Sequence, residues 1–193
     1  MSILKPYTAH PTACIDENTS IGENTKIWHF SHIMSNSHIG TNCNLGQNVV
    51  ISPKVSIGNG VKIQNNVSVY TGVTCEDDVF LGPSMVFTNV INPRSFVVRK
   101  NEFLETYIEK GATIGANATV ICGNRIGKYA MIGAGAVITK DILPYSLVVG
   151  NPAKQIGWVS KNGHRLHFNN ENKAVCPETN TIYKLENNTV TPL

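Results

Sequence analysis

The sequence predicts an all-β fold: a parallel β-helix of about seven coils, with one inserted loop and a small C-terminal β appendage. Three observations carry this prediction. An aliphatic residue returns every six positions, the fifth place of each six is small or β-branched, and the register fails at only two places.

Internal repeats are read first, because a period of this kind decides the whole fold. The aliphatic series runs Ile15, Ile21, Ile27, Ile33, Ile39, Leu45, Ile51, Ile57, Ile63 and Val69, then Cys75, Leu81 and Phe87; Ala9 extends it backward to 14 hexads. Gly often follows, as at Gly22, Gly40, Gly46, Gly58 and Gly82, and the fifth place holds Thr25, Ser31, Cys43, Val49 and their successors. A second series of eight hexads starts at Ile108, continues through Ile114, Val120, Ile126, Ile132 and Ile138, and places Pro144 and Gly150 last. A period of six fits neither an α-helix nor one alternating strand. It fits short strands joined by tight turns, each hexad forming one flat side of a prism. The first and fifth residues then point inward, and Gly or Asn takes the corners, where positive φ is tolerated. With three sides to a coil, 22 hexads stack to about 35 Å. The period leaves the hand open, and the general rule for parallel crossovers favours a right-handed coil.

The limits follow from where the register fails. Residues 9–155 form the repeat, interrupted by a 15-residue insertion at 93–107. The insertion mixes Arg94, Arg99 and Lys100 with Phe96, Val97, Val98, Phe103 and Leu104. Long excursions from a regular scaffold are usually functional, and this one is expected to be an ordered loop gripping a neighbour or a ligand. Residues 156–193 form the appendage. Asn162-Gly163 between apolar arms predicts a type I′ hairpin, and Thr181–Leu185 with Asn187-Asn188 predicts another. This tail is expected to shield the open last coil from edge pairing.

Composition removes several classes of function. The chain has 193 residues, a net charge of +3 and 41% hydrophobic residues. That suits a folded core and is too weakly basic for a nucleic-acid groove. No apolar run is long enough to span a membrane, and Met1 to Pro6 lacks the pattern of a leader, so a soluble, cytoplasmic protein without membrane insertion is expected. The five cysteines are far apart and form no C-x-x-C pair, which predicts neither disulfides nor a zinc knuckle but small apolar side chains in a reducing compartment.

The tandem [LIV]-G-x-x-[STAV]-x, with Ile132-Gly-Ala-Gly-Ala-Val-Ile-Thr-Lys and Gly150-Asn-Pro-Ala-Lys, resembles the hexapeptide-repeat acyltransferases over residues 9–155. The resemblance implies a left-handed prism assembled as a homotrimer, with acetyl-CoA as co-substrate and no metal. Phe87-Thr-Asn-Val-Ile-Asn-Pro-Arg-Ser, Gly163-His-Arg-Leu and Cys176-Pro-Glu resemble the bacterial N-acetyltransferases acting on UDP-2-acetamido-3-amino-2,3-dideoxy-glucuronate in O-antigen synthesis. The alternative keeps the chemistry and changes the sugar to a dTDP-3-amino-3,6-dideoxyhexose.

Asn89 stands at the outward third place of its hexad, just before the insertion. Spacing alone makes it a corner residue; the resemblance of Phe87-Thr88-Asn89 to the family's active-site strand makes it the catalytic candidate. Acyl transfer to an amine needs an uncharged nucleophile and a donor for the developing oxyanion. An amino-sugar amine is neutral often enough near pH 7 that an amide oxygen suffices to orient its N–H. The small fifth-place residues Ala112, Ala118, Ala130 and Ala136 leave room for a flexible ligand arm close to the backbone, or simply pack the core. From the resemblance, Gly115, Ala134, Lys140 and Lys154 are carried over to coenzyme A, the lysines toward phosphate. Arg94 and Arg99 face the uronate carboxylate or the diphosphate, or else are solvated loop residues. Gln64, Asn65 and Tyr70 are sugar-contact candidates, with Tyr70 about one coil beneath Asn89.

Two other readings lose. Gly133-Ala-Gly135-Ala136 lacks the helix and acidic residue of a dinucleotide fingerprint, and the repeat already explains its glycines. His29, His32 and His38 invite comparison with γ-class carbonic anhydrases, which hold zinc with histidines. However, His32 and His38 belong to consecutive hexads on adjacent sides of a coil; side chains that stack need 18-residue spacing.

Overall fold

A computed structural model describes residues 6–193; the chain start read above for a leader lies outside the described residues up to Lys5. Two-residue strands wind into a three-sided prism. Its first face is a nine-stranded sheet, its second face has seven strands, and its third has six plus a bridge from Ile126 to Ile142. Residues 18 apart stack in parallel register: Thr8 on Lys26, Cys14 on His32, Ser20 on His38. Past the insertion the step lengthens, and Cys75 pairs with Ile108.

Each side is flat because only two residues per hexad reach the interior. Ile33, Ile51, Val69, Val120 and Ile138 of the second face are completely buried, and Phe87 is 1% exposed. Burying one such side chain contributes about 1.5–3 kcal/mol, so the stacked rows hold the coils together. In the lower coils the fifth place carries hydroxyls, and each is satisfied within the wall. The Thr25 hydroxyl donates to the Gly40 carbonyl at 2.8 Å and accepts from the Cys43 amide at 3.0 Å; Ser31 does the same with Gly46 and Val49.

The turns divide the corner chemistry between two places. Positive φ falls at the fourth place, mostly on Asn, as at Asn24, Asn42, Asn48 and Asn117. The second-place glycines serve another purpose: a Cβ on Gly40 would stand 2.6 Å from the Gly58 carbonyl oxygen, so close stacking rather than φ requires them.

Two details of the register differ from the sequence reading. Pro144 and Gly150 do not take the inward places of the last coil. Ile126 bridges Ile142 and Met131 pairs with Leu147, a 16-residue step, so Ile142 and Val148 point inward instead. Shortening one corner by two residues brings a branched side chain into the core where the strict period would have put Pro or Gly. The first hairpin of the tail also differs. Gly163 has φ +84° but Asn162 has no positive φ. The Gly163 amide donates to Ser160 O and Ser160 donates to His164 O, which is a three-residue loop closed by a left-handed Gly rather than type I′. Asn187 and Asn188, at φ 47° and 60°, do form the type I′ turn between Ile182–Glu186 and Thr189–Pro192.

The tail builds a second small core. Strand Lys154–Trp158 turns back antiparallel on Ser146–Val149 and covers the last parallel edge of the first face. Trp158, Leu166, Ala174, Cys176, Tyr183 and Val190 pack on the corner residue Tyr145. Among the described residues no helix is long and apolar enough to cross a membrane.

Candidate functional site

The strand Val86–Phe87 delivers the candidate residue to the corner between the second and third faces. Thr88 anchors the exit: its amide donates to Val120 O at 3.1 Å, and its hydroxyl accepts from the Cys122 amide at 3.0 Å. Asn89 follows, half-buried, and its carbonyl accepts from the Leu104 amide at 3.0 Å. That bond closes the neck of the inserted loop. Leu104 sits between two coils: a Cβ on Gly72 below would come within 3.2 Å of Leu104 O, and one on Gly123 above within 3.3 Å of its Cδ1. Both glycines have positive φ, so the neck has a seat that other residues would fill or distort.

The insertion of 93–107 is narrower in space than in sequence. Thr106–Ile108 is already a strand, and Thr106 is buried. The rest folds as two turns, Arg94 to Val97 and Arg99 to Glu102. Arg99 Nη1 donates to both Glu102 carboxylate oxygens at 3.0 and 2.7 Å, so this arginine is occupied within the loop. Arg94 is exposed, its guanidinium donating only to its neighbour Pro93 O. Among the described residues the loop tip has no cover: Phe96 is 84% and Val98 83% exposed.

Tyr70 lies where the repeat puts it. Ser68 pairs with Val86, so Tyr70, two residues on, comes under Thr88 and next to the Asn89 column, partly exposed. Gln64 and Asn65 lie at the opposite corner of the second face. The Asn65 side-chain oxygen accepts from the Gln47 amide at 2.9 Å and its carbonyl accepts from Ser84, which gives Asn65 a stacking role between coils. Gly115 and the exposed Ala134 continue that corner upward; a Cβ on Gly115 would stand 2.5 Å from Ala134 N. Lys140 is exposed on the Asn89 side, two coils above Thr88, and Lys154 begins the capping strand at the top. The candidates therefore form two groups, one on each edge of the second face.

Ala112, Ala118, Ala130 and Ala136 require a correction. All four are at most 1% exposed and belong to the prism core. Their methyl groups face the interior rows, so no ligand on the outside reaches them. Cys14 is another exception: it is the exposed cysteine, while Cys43, Cys75, Cys122 and Cys176 are buried.

The histidines stand apart from Asn89. His32 is on the second face three rungs beneath Val86, about 14 Å away. His38 is on the third face, and the His29 ring stacks on His10 with centroids 3.4 Å apart. Sequence reasoning missed Thr88 and the seat of Leu104. The 18-residue column through Tyr70 and Thr88 points to the first; the seat depends on a loop return that no periodicity encodes.

Residues 18–53 and 105–140 match the bacterial transferase hexapeptide (six repeats) family, and residues 38–71 match the hexapeptide repeat of succinyl-transferase. This repeat indicates left-handed winding, against the rule for ordinary crossovers. A dTDP-3-amino-3,6-dideoxy-alpha-D-galactopyranose 3-N-acetyltransferase of Aneurinibacillus thermoaerophilus is 50% identical over 74 residues, 38% of each chain. The match thus spans well under half of that relative. A hexapeptide-repeat acetyltransferase from Vibrio cholerae, solved with acetyl coenzyme A, is 26% identical with a TM-score of 0.50, over 60% of this chain and 70% of its own. The acetyltransferase domain of PglB from Neisseria gonorrhoeae, also solved with acetyl coenzyme A, is alike in fold, at 22% identity and a TM-score of 0.52 over 78% of this chain and 58% of its own.

Proposed function

Because residues 18–53 and 105–140 match the bacterial transferase hexapeptide family, we propose that the chain transfers acetyl from acetyl-CoA to the 3-amino group of a nucleotide-linked amino sugar. The observation that carries the reading is Asn89 at the loop neck: a half-buried residue just past the strand Val86–Phe87, beside a loop whose tip residues Phe96 and Val98 are exposed.

The chemistry asks little of the protein beyond placement. The neutral sugar amine attacks the thioester carbonyl, the C–S bond breaks, and the leaving thiolate takes the proton released by nitrogen. The products are an acetamide and free coenzyme A. The Asn89 side-chain oxygen accepts an amine N–H and aims the nitrogen lone pair, without removing a proton itself. Gly115 and Ala134 leave their corner free of long side chains, which suits the pantetheine arm, and Lys140 and Lys154 supply positive charge for phosphates.

The two groups of candidates lie on opposite edges of one face, so a homotrimer completes the site. The loop of one protomer then covers a neighbour, and the coenzyme groove runs between them. For the sugar, exposed Arg94 favours an acidic substrate, the UDP-linked 2-acetamido-3-amino-2,3-dideoxy-glucuronate. The name of the Aneurinibacillus relative favours the second reading, a dTDP-3-amino-3,6-dideoxyhexose. Turnover of both nucleotide sugars with acetyl-CoA decides between them. No acetyl transfer to either one overturns the proposal.

A further inference from the structure

At the lower end of the second face three metal-ligating side chains converge. Cys14 and His32 are 18 residues apart, stacked in parallel register on consecutive coils, and Asp16 follows Cys14 at the strand end. Cys14 Sγ lies 3.8 Å from Asp16 Oδ1, and His32 Nε2 lies 3.0 Å from the same oxygen. All three donor atoms are within 4.8 Å of one another. We propose that Cys14, Asp16 and His32 bind a divalent transition-metal ion of the zinc class, which clamps the first coil to the second.

Geometry favours chelation over the other uses of these residues. With zinc bonds of about 2.3 Å to sulfur and about 2.0 Å to nitrogen and oxygen, a tetrahedral site needs S···O of about 3.5 Å and N···O of about 3.3 Å. The two observed separations differ from these by about 0.3 Å, within side-chain adjustment. A nucleophilic Cys–His–Asp arrangement needs the imidazole between thiol and carboxylate. Here the carboxylate oxygen is central and receives both neighbours, so the cluster does not activate the thiol. A simple ion pair accounts for His32 and Asp16 but leaves Cys14 without a reason to be the exposed cysteine. The donor set of one thiolate, one imidazole and one carboxylate suits zinc and leaves a fourth position to water. On binding, the ion displaces the thiol proton of Cys14 to solvent.

The position gives the clamp a purpose. In this end coil Ala9, Ala13, Ile15 and Ile21 are only partly buried, whereas the same places higher up are sealed. On this face the Cys14 and Asp16 amides donate to Ser31 O and Ile33 O, two of the backbone bonds that tie the first coil to the second. A metal bridge from Cys14 and Asp16 to His32 crosses the same gap at a point where the hydrophobic rows contribute least.

The test uses the full chain, reduced and freed of metal by a chelator, titrated with Co2+ and then competed with Zn2+. The proposal expects one ion per chain, with a thiolate-to-cobalt charge-transfer band that Cys14→Ser abolishes and Cys43→Ser or Cys176→Ser keeps. Asp16→Asn and His32→Gln each weaken binding ~10-fold or more. Saturating Zn2+ slows hydrogen exchange of the Cys14 and Asp16 amides ~10-fold or more, with no such effect in Cys14→Ser. Binding without stoichiometry, a charge-transfer band that survives Cys14→Ser, or exchange unchanged by zinc overturns the proposal. Circular dichroism of each variant separates lost ligation from lost folding.

Discussion

The Leu104 amide donates to the Asn89 carbonyl at 3.0 Å, so the residue proposed to orient the amine also holds the two ends of the loop together. The two roles use different atoms: the backbone closes the neck, and the proposal assigns the side-chain amide to the substrate. Asn89→Ala therefore keeps the neck and removes only the amide. We predict that kcat falls ~100-fold, the scale for one positioned polar group, while acetyl-CoA binding measured by calorimetry changes little. Lost coenzyme binding would show instead that the substitution disturbs the groove.

With His29, His32 and His38 on other rungs or faces than Asn89, the pH profile of kcat/KM should rise to a plateau set by the sugar amine. Changing the substituents on the amine should move the inflection. His29→Ala and His38→Ala should leave its position unchanged. An inflection that vanishes with either substitution identifies that histidine as the base and rejects direct attack by a neutral amine.

The corner glycines separate two physical requirements that sequence alone merges. Gly115→Ala puts a Cβ 2.5 Å from Ala134 N, a backbone atom that cannot move without spreading two coils, and overpacking of this kind costs about 1–3 kcal/mol. Gly135 has φ +69° and nothing within 4 Å of its added Cβ. Gly135→Asn should be nearly neutral, since Asn117 already holds φ 55° on the coil below. Thermal melts of the two variants check the pair; equal losses would refute the division.

The same contrast shows what periodicity can and cannot carry. A six-residue period names the inward first-place side chain of each hexad from Ile27 to Ile138, because one backbone geometry recurs and each rung must bury its own aliphatic residue. It fails at Ile142 and Val148, where filling the core outweighs keeping step. Ala112 and Ala118 were ambiguous because small size serves a crowded interior and an open groove equally well; only the direction of the Cα–Cβ bond separates them. Arg99 was open for a different reason, since its partner Glu102 is local and depends on the turn between them. Cys14 and His32 were legible in principle, as their spacing is the stacking interval itself.

Phe96 and Val98 expose apolar surface at the loop tip, at 84% and 83%, and the homotrimer proposal assigns that surface to a neighbouring protomer. Phe96→Asp combined with Val98→Asp should shift the protein from trimer to monomer in light scattering, from three times 21.0 kDa to one. Circular dichroism should be unchanged, because neither residue belongs to the core. Acetyl transfer should fall in parallel with trimer content. Wild-type protein that is monomeric and active would refute the shared groove.

Acid should loosen the tail before the prism. Glu178 accepts from His164 Nε2 at 2.7 Å and from Asn162 Nδ2 at 3.2 Å, linking the Ser160–His164 hairpin to the segment after Cys176. The hydrogen bond from His164, then that from Asn162, holds its carboxyl below the ordinary value of 4.5. A carboxyl depressed in the folded state stabilises fully above its unfolded pKa, and that contribution is lost as pH falls through the folded pKa. The loss should therefore begin below about pH 4.5. Trp158, buried in the tail core, reports it by fluorescence once the exposed Trp28 is replaced by Phe. Glu178→Gln should weaken the tail near neutral pH and flatten this acid transition, so that variant and parent converge once the carboxyl is protonated. A transition with the same midpoint and amplitude in Glu178→Gln would move the acid sensitivity to another group.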